Sequence, residues 1–218
     1  MCFSAEVSFG AGAVITAIGV ATLRKAKTTP QQLFACIPLF FAVQQFTEGA
    51  LWLALDDPSG GELNSWLSRM FLLFAWVIWP AYIPLTMRQL ETNALRRRIL
   101  TVFLVIGLAV SLLHIYHLVF QHIFARIDGS HIRYLMDYQP KYPWVMGTCY
   151  FIAIVLSLFV STAKRMVYLG MMVLTTFLIT VSFYEHFHQI SVWCFFAAIT
   201  SLMVLWVLDG VKKAGKTA

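Results

Sequence analysis

The sequence predicts an all-α membrane protein, a bundle of seven transmembrane helices with the N-terminus outside and the C-terminus in the cytoplasm. Three observations point there. Of 218 residues, 60% are hydrophobic and 12% charged, about half the charged share of a soluble domain. Apolar stretches of about 20 residues, the length needed to cross the hydrocarbon core, recur seven times along the chain. The basic residues alternate between successive loops, as the positive-inside rule requires.

The first span runs over 4–23 and is rich in small residues, Gly10, Gly12, Ala13 and Gly19, which allow close packing on a neighbouring helix. It lacks a basic leading region and a small-residue cleavage site, so it reads as a span and not as a cleavable signal. The second, 32–55, holds Gln44, Gln45, Glu48 and Trp52. The third, 66–87, contains Trp79-Pro80 and Pro84. Each proline removes an intrahelical hydrogen bond, which predicts a kink. The fourth, 99–120, carries Ser111, His114 and His117 near its end. Residues 121–142 form the one long loop, where Ile123, Phe124, Ile132, Tyr134, Leu135 and Met136 mix with charges. This pattern suggests a short interfacial helix capping the outer face. Spans five, six and seven are 143–162, 166–184 and 190–208. The link Ala163-Lys164-Arg165 is short enough to make five and six antiparallel neighbours. A single membrane domain thus covers 1–218.

Twelve of the 16 Lys and Arg residues fall in one set of loops: Arg24, Lys25, Lys27, Arg88, Arg96, Arg97, Arg98, Lys164, Arg165, Lys212, Lys213 and Lys216. The other set holds Arg69, Arg126, Arg133 and Lys141 beside six acidic residues. The first set therefore faces the cytoplasm and the chain sits in the inner membrane. The net charge of +6 orients the bundle; its place in short loops argues against nucleic acid as a partner and leaves membrane lipids. Association into a homo-oligomer stays open.

This topology collects all six histidines, and Cys2, Cys149 and Cys194, on the outer side, together with Glu48. A spacing of three and four places Gln45, Glu48 and Trp52 on one helical stripe. An ionised carboxylate at that depth is costly, so Glu48 faces the interior, has a partner or is protonated; pairing with Arg69 is one structural solution. His114 and His117 share a face through their separation of three, and such a pair can ligate one metal. Of His186 and His188, the first continues the stripe Thr175, Ile179, Ser182. His122 and His131 lie in the loop and read as solvated. An exposed amino-terminal Cys2 would offer an amine and a thiolate to a metal; a small packed residue explains it as well. A disulfide between Cys149 and Cys194 stays open.

The opening Met1-Cys2-Phe3-Ser4-Ala5, followed by Ser8-Phe9 and the glycines, the stretch Gln44 to Trp52, and Ser191-Val192-Trp193-Cys194-Phe195 resemble an uncharacterised bacterial seven-span integral-membrane family. The resemblance implies a bacterial membrane protein and no activity. In architecture only, seven spans with an outer N-terminus and a His/Glu/Ser site are similar to the alkaline ceramidase and adiponectin-receptor hydrolases. Those carry paired histidines in the last span, where this chain has none.

Four functions fit these residues. In a metal-dependent membrane hydrolase acting on a lipid or amphipathic substrate, His114, His117 and His186, with Cys2 as a further ligand, would hold zinc. Glu48 would serve as general base on the metal-bound water, and Arg69, Gln45 and Trp52 would face the substrate. A haem or copper electron carrier would use histidines of spans four and six. A proton-coupled transporter would use Glu48 and the histidines as a relay. In a non-enzymatic membrane module the polar groups only join helices. The hydrolase is the leading expectation.

Overall fold

The computed structural model describes residues 4–56, 61–129, 131–137, 143–183 and 196–214. It is mostly helical. In order, the elements are α1 (Ala5–Lys25), α2 (Thr29–Ala35), α3 (Ile37–Asp56), α4 (Gly61–Leu72), a π-helical segment Leu73–Ile78, α5 (Trp79–Leu90) and α6 (Ala94–Phe120). Strands β1 (Ile123–Asp128) and β2 (His131–Met136) follow, then α7 (Pro143–Phe151), a second π-helical segment Ile152–Leu156, α8 (Ser157–Phe159), α9 (Met166–Phe183) and α10 (Ala197–Ala214). Among the described residues, four helical stretches are long and apolar enough to cross a membrane: Ala5–Lys25, Thr29–Asp56, Gly61–Leu90 and Ala94–Phe120. Pro143–Phe159, Met166–Ser182 and Ile199–Gly210 are shorter apolar helices, at the positions of the expected fifth, sixth and seventh spans.

Side-chain caps set where the helices start. Ser4 Oγ accepts from Val7 N, Thr28 Oγ1 from Gln31 N and Asn93 Oδ1 from Arg96 N, each satisfying one of the free N–H groups of a first helical turn. The expected disturbance of the third span takes a definite form. Pro80 has no N–H for the Trp76 carbonyl, and the turn before it widens so that Trp79 N donates to Phe74 O, a π-bulge. Neighbouring helices satisfy carbonyls of this stretch: Tyr150 OH donates to Ala75 O at 2.6 Å and Ser111 Oγ to Val77 O at 2.7 Å. Pro84 likewise leaves the Pro80 carbonyl without its helical partner. Gly107 of α6 packs directly on that carbonyl, where any Cβ would overlap it.

Residues 121–142 correct the sequence reading. In place of an interfacial helix, β1 and β2 form an antiparallel hairpin in register from Ile123↔Met136 to Asp128↔His131. Gly129 turns the chain with φ +62°, a conformation that suits glycine. Gly-Ser at 129–130, between two alternating runs, is a hairpin signal in the sequence, and the apolar residues alternate as a half-buried strand does. Ile123, Ala125, Ile132 and Tyr134 are buried, while Phe124 is exposed. Tyr134 stacks on Phe71 of α4, with ring centroids 5.1 Å apart.

The core has two main parts. One, at the hairpin end, joins Leu51 and Trp52 of α3 and Leu67 and Phe71 of α4 with the hairpin's buried face. The other, at the basic end, packs Phe34, Trp79, Met87 and Leu100 against Val155, Met166 and Leu208. Polar contacts close the basic end. Glu91, buried, accepts from Asn93 N, Thr162 N and Thr162 Oγ1. Arg96 donates to the Val160 and Ser161 carbonyls, Arg165 donates to Trp206 O and lies over its ring, and Lys25 pairs with Asp209 at 3.1 Å.

Candidate functional site

The site is built on the seam between α1 and α3. Small residues let the two helices approach: a Cβ on Gly12 would meet the Phe46 ring at 3.1 Å, one on Gly49 the Phe9 ring at 3.1 Å, and one on Gly19 the Leu39 side chain. These contacts share one antiparallel register, with Phe9 opposite Gly49, Gly12 opposite Phe46 and Gly19 opposite Leu39. Phe9 and Phe46 fill one flank of the seam, their rings 6.2 Å apart. At about 100° per residue, Ser8 of α1 and Gln45, Glu48 and Trp52 of α3 fall on the other flank. At about 1.5 Å per residue, the register sets Ser8 level with Ala50, about 3 Å along the axis from both Glu48 and Trp52.

This flank is closed and polar. Ser8 is 1% exposed, Gln45 2%, Glu48 0% and Trp52 6%. Gln45 Nε2 donates to Glu48 Oε2 at 3.4 Å. One helical position away, Gln44 Oε1 accepts from Trp79 Nε1 at 3.0 Å, which fixes α3 against α5. Among the described residues, Ser8 Oγ and Trp52 Nε1 have no hydrogen-bond partner. Unsatisfied buried polar atoms are uncommon in native proteins, and two of them here lie on the helices of this seam, near the level of one buried carboxyl.

The histidine pair is carried on α6. His114 Nδ1 is 2.8 Å from Val110 O, so Nε2 is the nitrogen that this carbonyl does not engage. The His114 ring packs against Trp76, centroids 5.2 Å apart, and lies 6.5 Å from the His117 ring. α3 packs on α1 and α4, whereas α6 packs on α5 and the π-helical segment Leu73–Ile78. Glu48 is thus carried on a helix that packs on α4, and the two histidines on a helix that packs on the π-helical segment following α4. Among the described residues, no group of three or more His, Cys, Asp or Glu comes together to hold a metal. Cys2, His186, His188 and Cys194 lie outside the described residues. Cys149 is a free thiol and His122 is exposed.

Arg69 has a structural occupation. Its guanidinium donates from Nη1 to Leu118 O and from Nη2 to Gln121 O at 2.7 Å, so it caps the last turn of α6. Its Nε donates to Ser65 Oγ at 3.4 Å. Glu62, Ser65, Trp66 and Arg69 line an open groove along α4. Sequence reasoning missed two residues. Asn64 clasps β1: its Nδ2 donates to Ala125 O and its Oδ1 accepts from Ala125 N, both at 2.8 Å. No periodicity signals a side chain that acts as a strand edge. Ser8 was legible only as part of a sequence pattern; its burial, level with Ala50 of α3, required the helix register.

A mostly helical chain with four helices, among the described residues, long and apolar enough to cross a membrane has the make-up of a helical membrane protein. The chain belongs to the family of unknown function DUF6629, which matches residues 1–218. This agrees with the resemblance to an uncharacterised family and lends nothing to the ceramidase and adiponectin-receptor likeness. No curated protein and no solved structure matches the chain.

Proposed function

We propose that the protein is a seven-span inner-membrane protein with an external N-terminus and a cytoplasmic C-terminus, and that it is a proton-coupled carrier whose proton-exchanging group is Glu48. The fully buried Glu48 in a membrane-length helix carries this reading. Ionisable groups at such positions are rare and costly, and they mark ion and proton pathways. The partner on its own stripe is the neutral amide of Gln45, which hydrogen-bonds a carboxylate through its NH2 and a carboxylic acid through its C=O. Protonation can therefore change without breaking the stripe. The basic loops support the orientation, and the three shorter apolar helices supply the remaining spans.

Proteoliposomes holding a pH-sensitive dye test the reading. Wild-type protein should dissipate an imposed pH gradient faster than Glu48→Gln, and infrared difference spectra on acidification should contain a carboxyl band that Glu48→Gln removes. Equal gradient decay with no such band would return Glu48 to a structural role.

A second reading, a zinc-dependent hydrolase acting on a lipid, is favoured by one observation, the His114 and His117 pair with His114 Nδ1 fixed by a backbone carbonyl. Metal-ligating histidines are oriented in this way. Cys2 and His186 would complete that ligand set. Elemental analysis of purified wild type and His114→Ala decides it: zinc at one per chain, lost in the variant, is the outcome this reading requires.

A further inference from the structure

We propose that Ser8 Oγ, Trp52 Nε1 and the Glu48 carboxyl form an internal hydration site, a pocket for one exchangeable water through which Glu48 gains and loses its proton. The inference rests on the proton-exchange reading of Glu48 and names the small ligand that serves it.

Three observations carry it. Ser8 and Trp52 are more than nine-tenths buried and, among the described residues, have no hydrogen-bond partner. The α1–α3 register puts both on the flank that Glu48 occupies, within about one helical turn of it along the axis. The opposite flank is filled by Phe9 and Phe46, so the polar groups have only one side to share.

The chemistry of these groups selects the ligand. An indole N–H is a donor only, a carboxylate accepts only, and a hydroxyl does both. A metal cation offers nothing to the indole, and an anion is repelled by the carboxylate. Water accepts from Trp52 Nε1 and donates to Glu48 while exchanging a hydrogen bond with Ser8, which gives the two to four polar partners that a buried water makes. The near-complete burial of Ser8, Gln45, Glu48 and Trp52 favours a ligand as small as one water. Ser8 stands one turn inside the Ser4 cap of α1, so the site is close to the end of the bundle at which α1 begins. The exchange balances simply: a hydronium at this position gives one proton to the Glu48 carboxylate and becomes water, and the reverse step releases it.

The test uses the full chain in lipid nanodiscs, with tryptophan labelled at the indole nitrogen. The Trp52 resonance is identified by its loss in Trp52→Phe. In wild-type protein the Trp52 indole N–H should show a magnetisation-transfer cross-peak with water, and the carboxyl band assigned by Glu48→Gln should shift promptly in deuterium oxide. Ser8→Val, which fills the position and removes the hydroxyl, should abolish the cross-peak and slow the deuterium shift; Ser8→Ala keeps the space and serves if the valine variant does not fold. A wild-type Trp52 indole protected from exchange would overturn the site. So would a cross-peak that survives unchanged in both Ser8 variants. If the Trp52 cross-peak behaves as expected but Glu48 does not respond to acidification, the hydration site stands and proton coupling falls. If Glu48 titrates while Trp52 stays dry, the reverse holds.

Discussion

At the scale of single residues, the structure separates groups that hold the fold from groups that it carries at a cost. Glu48 is buried with its amide neighbour. Glu48→Gln should keep thermal stability in detergent within about 1 kcal/mol of wild type, because an amide replaces a carboxyl in hydrogen bonding. Glu48→Leu should lose about 1–3 kcal/mol by leaving the Gln45 amide unpaired. A leucine variant as stable as wild type would show that the Gln45 bond contributes nothing. Gly107 is the stricter position. Its α-carbon faces the Pro80 carbonyl so closely that a Cβ overlaps it, and backbone cannot swing aside as a side chain does. Gly107→Val should cost at least the 1–3 kcal/mol typical of overpacking, read as a fall in the detergent melting temperature, whereas substitution of Gly10, which has open space around it, should be nearly neutral.

At the scale of elements, the hairpin and α4 act as one unit. Asn64 satisfies both backbone groups of Ala125, Tyr134 stacks on Phe71, and Arg69 closes the end of α6 just before the hairpin begins. A two-stranded hairpin alone is marginal in water, so this one depends on α4. Asn64→Ala should leave the Ala125 N–H and C=O unpaired, at about 1–3 kcal/mol. Hydrogen exchange should then quicken across Ile123–Asp128 and His131–Met136 while the core of α3 stays protected. Uniform acceleration over the whole chain would mean that the hairpin is no separate unit. The sequence held the evidence for this element in the Gly-Ser pair at 129–130 and in the alternation of Ile123, Ala125 and Ile132. Mixed charges and aromatics obscured it, because an interfacial helix shows a similar composition.

At the scale of the whole molecule, the two ends of the bundle differ in kind. The basic end is tied by Glu91, Arg96, Arg165 and the Lys25–Asp209 pair, the other by the hairpin. If the proposed orientation is correct, a cysteine introduced beside Lys164 should resist impermeant thiol reagents in intact cells until the membrane is opened, while one beside Asp57 should react at once. Labelling in the opposite pattern would invert the topology and move the Glu48 site to the cytoplasmic half.

The sequence by itself determined the composition of a membrane protein, the positions of the long apolar helices, the disturbance at Pro80 and Pro84, and the stripe that links Gln45, Glu48 and Trp52. These follow from local periodicity and from residue chemistry, which act over a few turns of chain. Only the tertiary structure decided what faces that stripe. The glycine contacts fix how far α1 slides along α3, and that register sets Ser8 within about 3 Å of the level of Glu48 along the axis. The same packing sets His114 against Trp76, commits Arg69 to the end of α6 and recruits Asn64 to a strand. Each depends on which helices touch and at what height, and a helix's own sequence specifies its face but not the partner or the height at which that face is met.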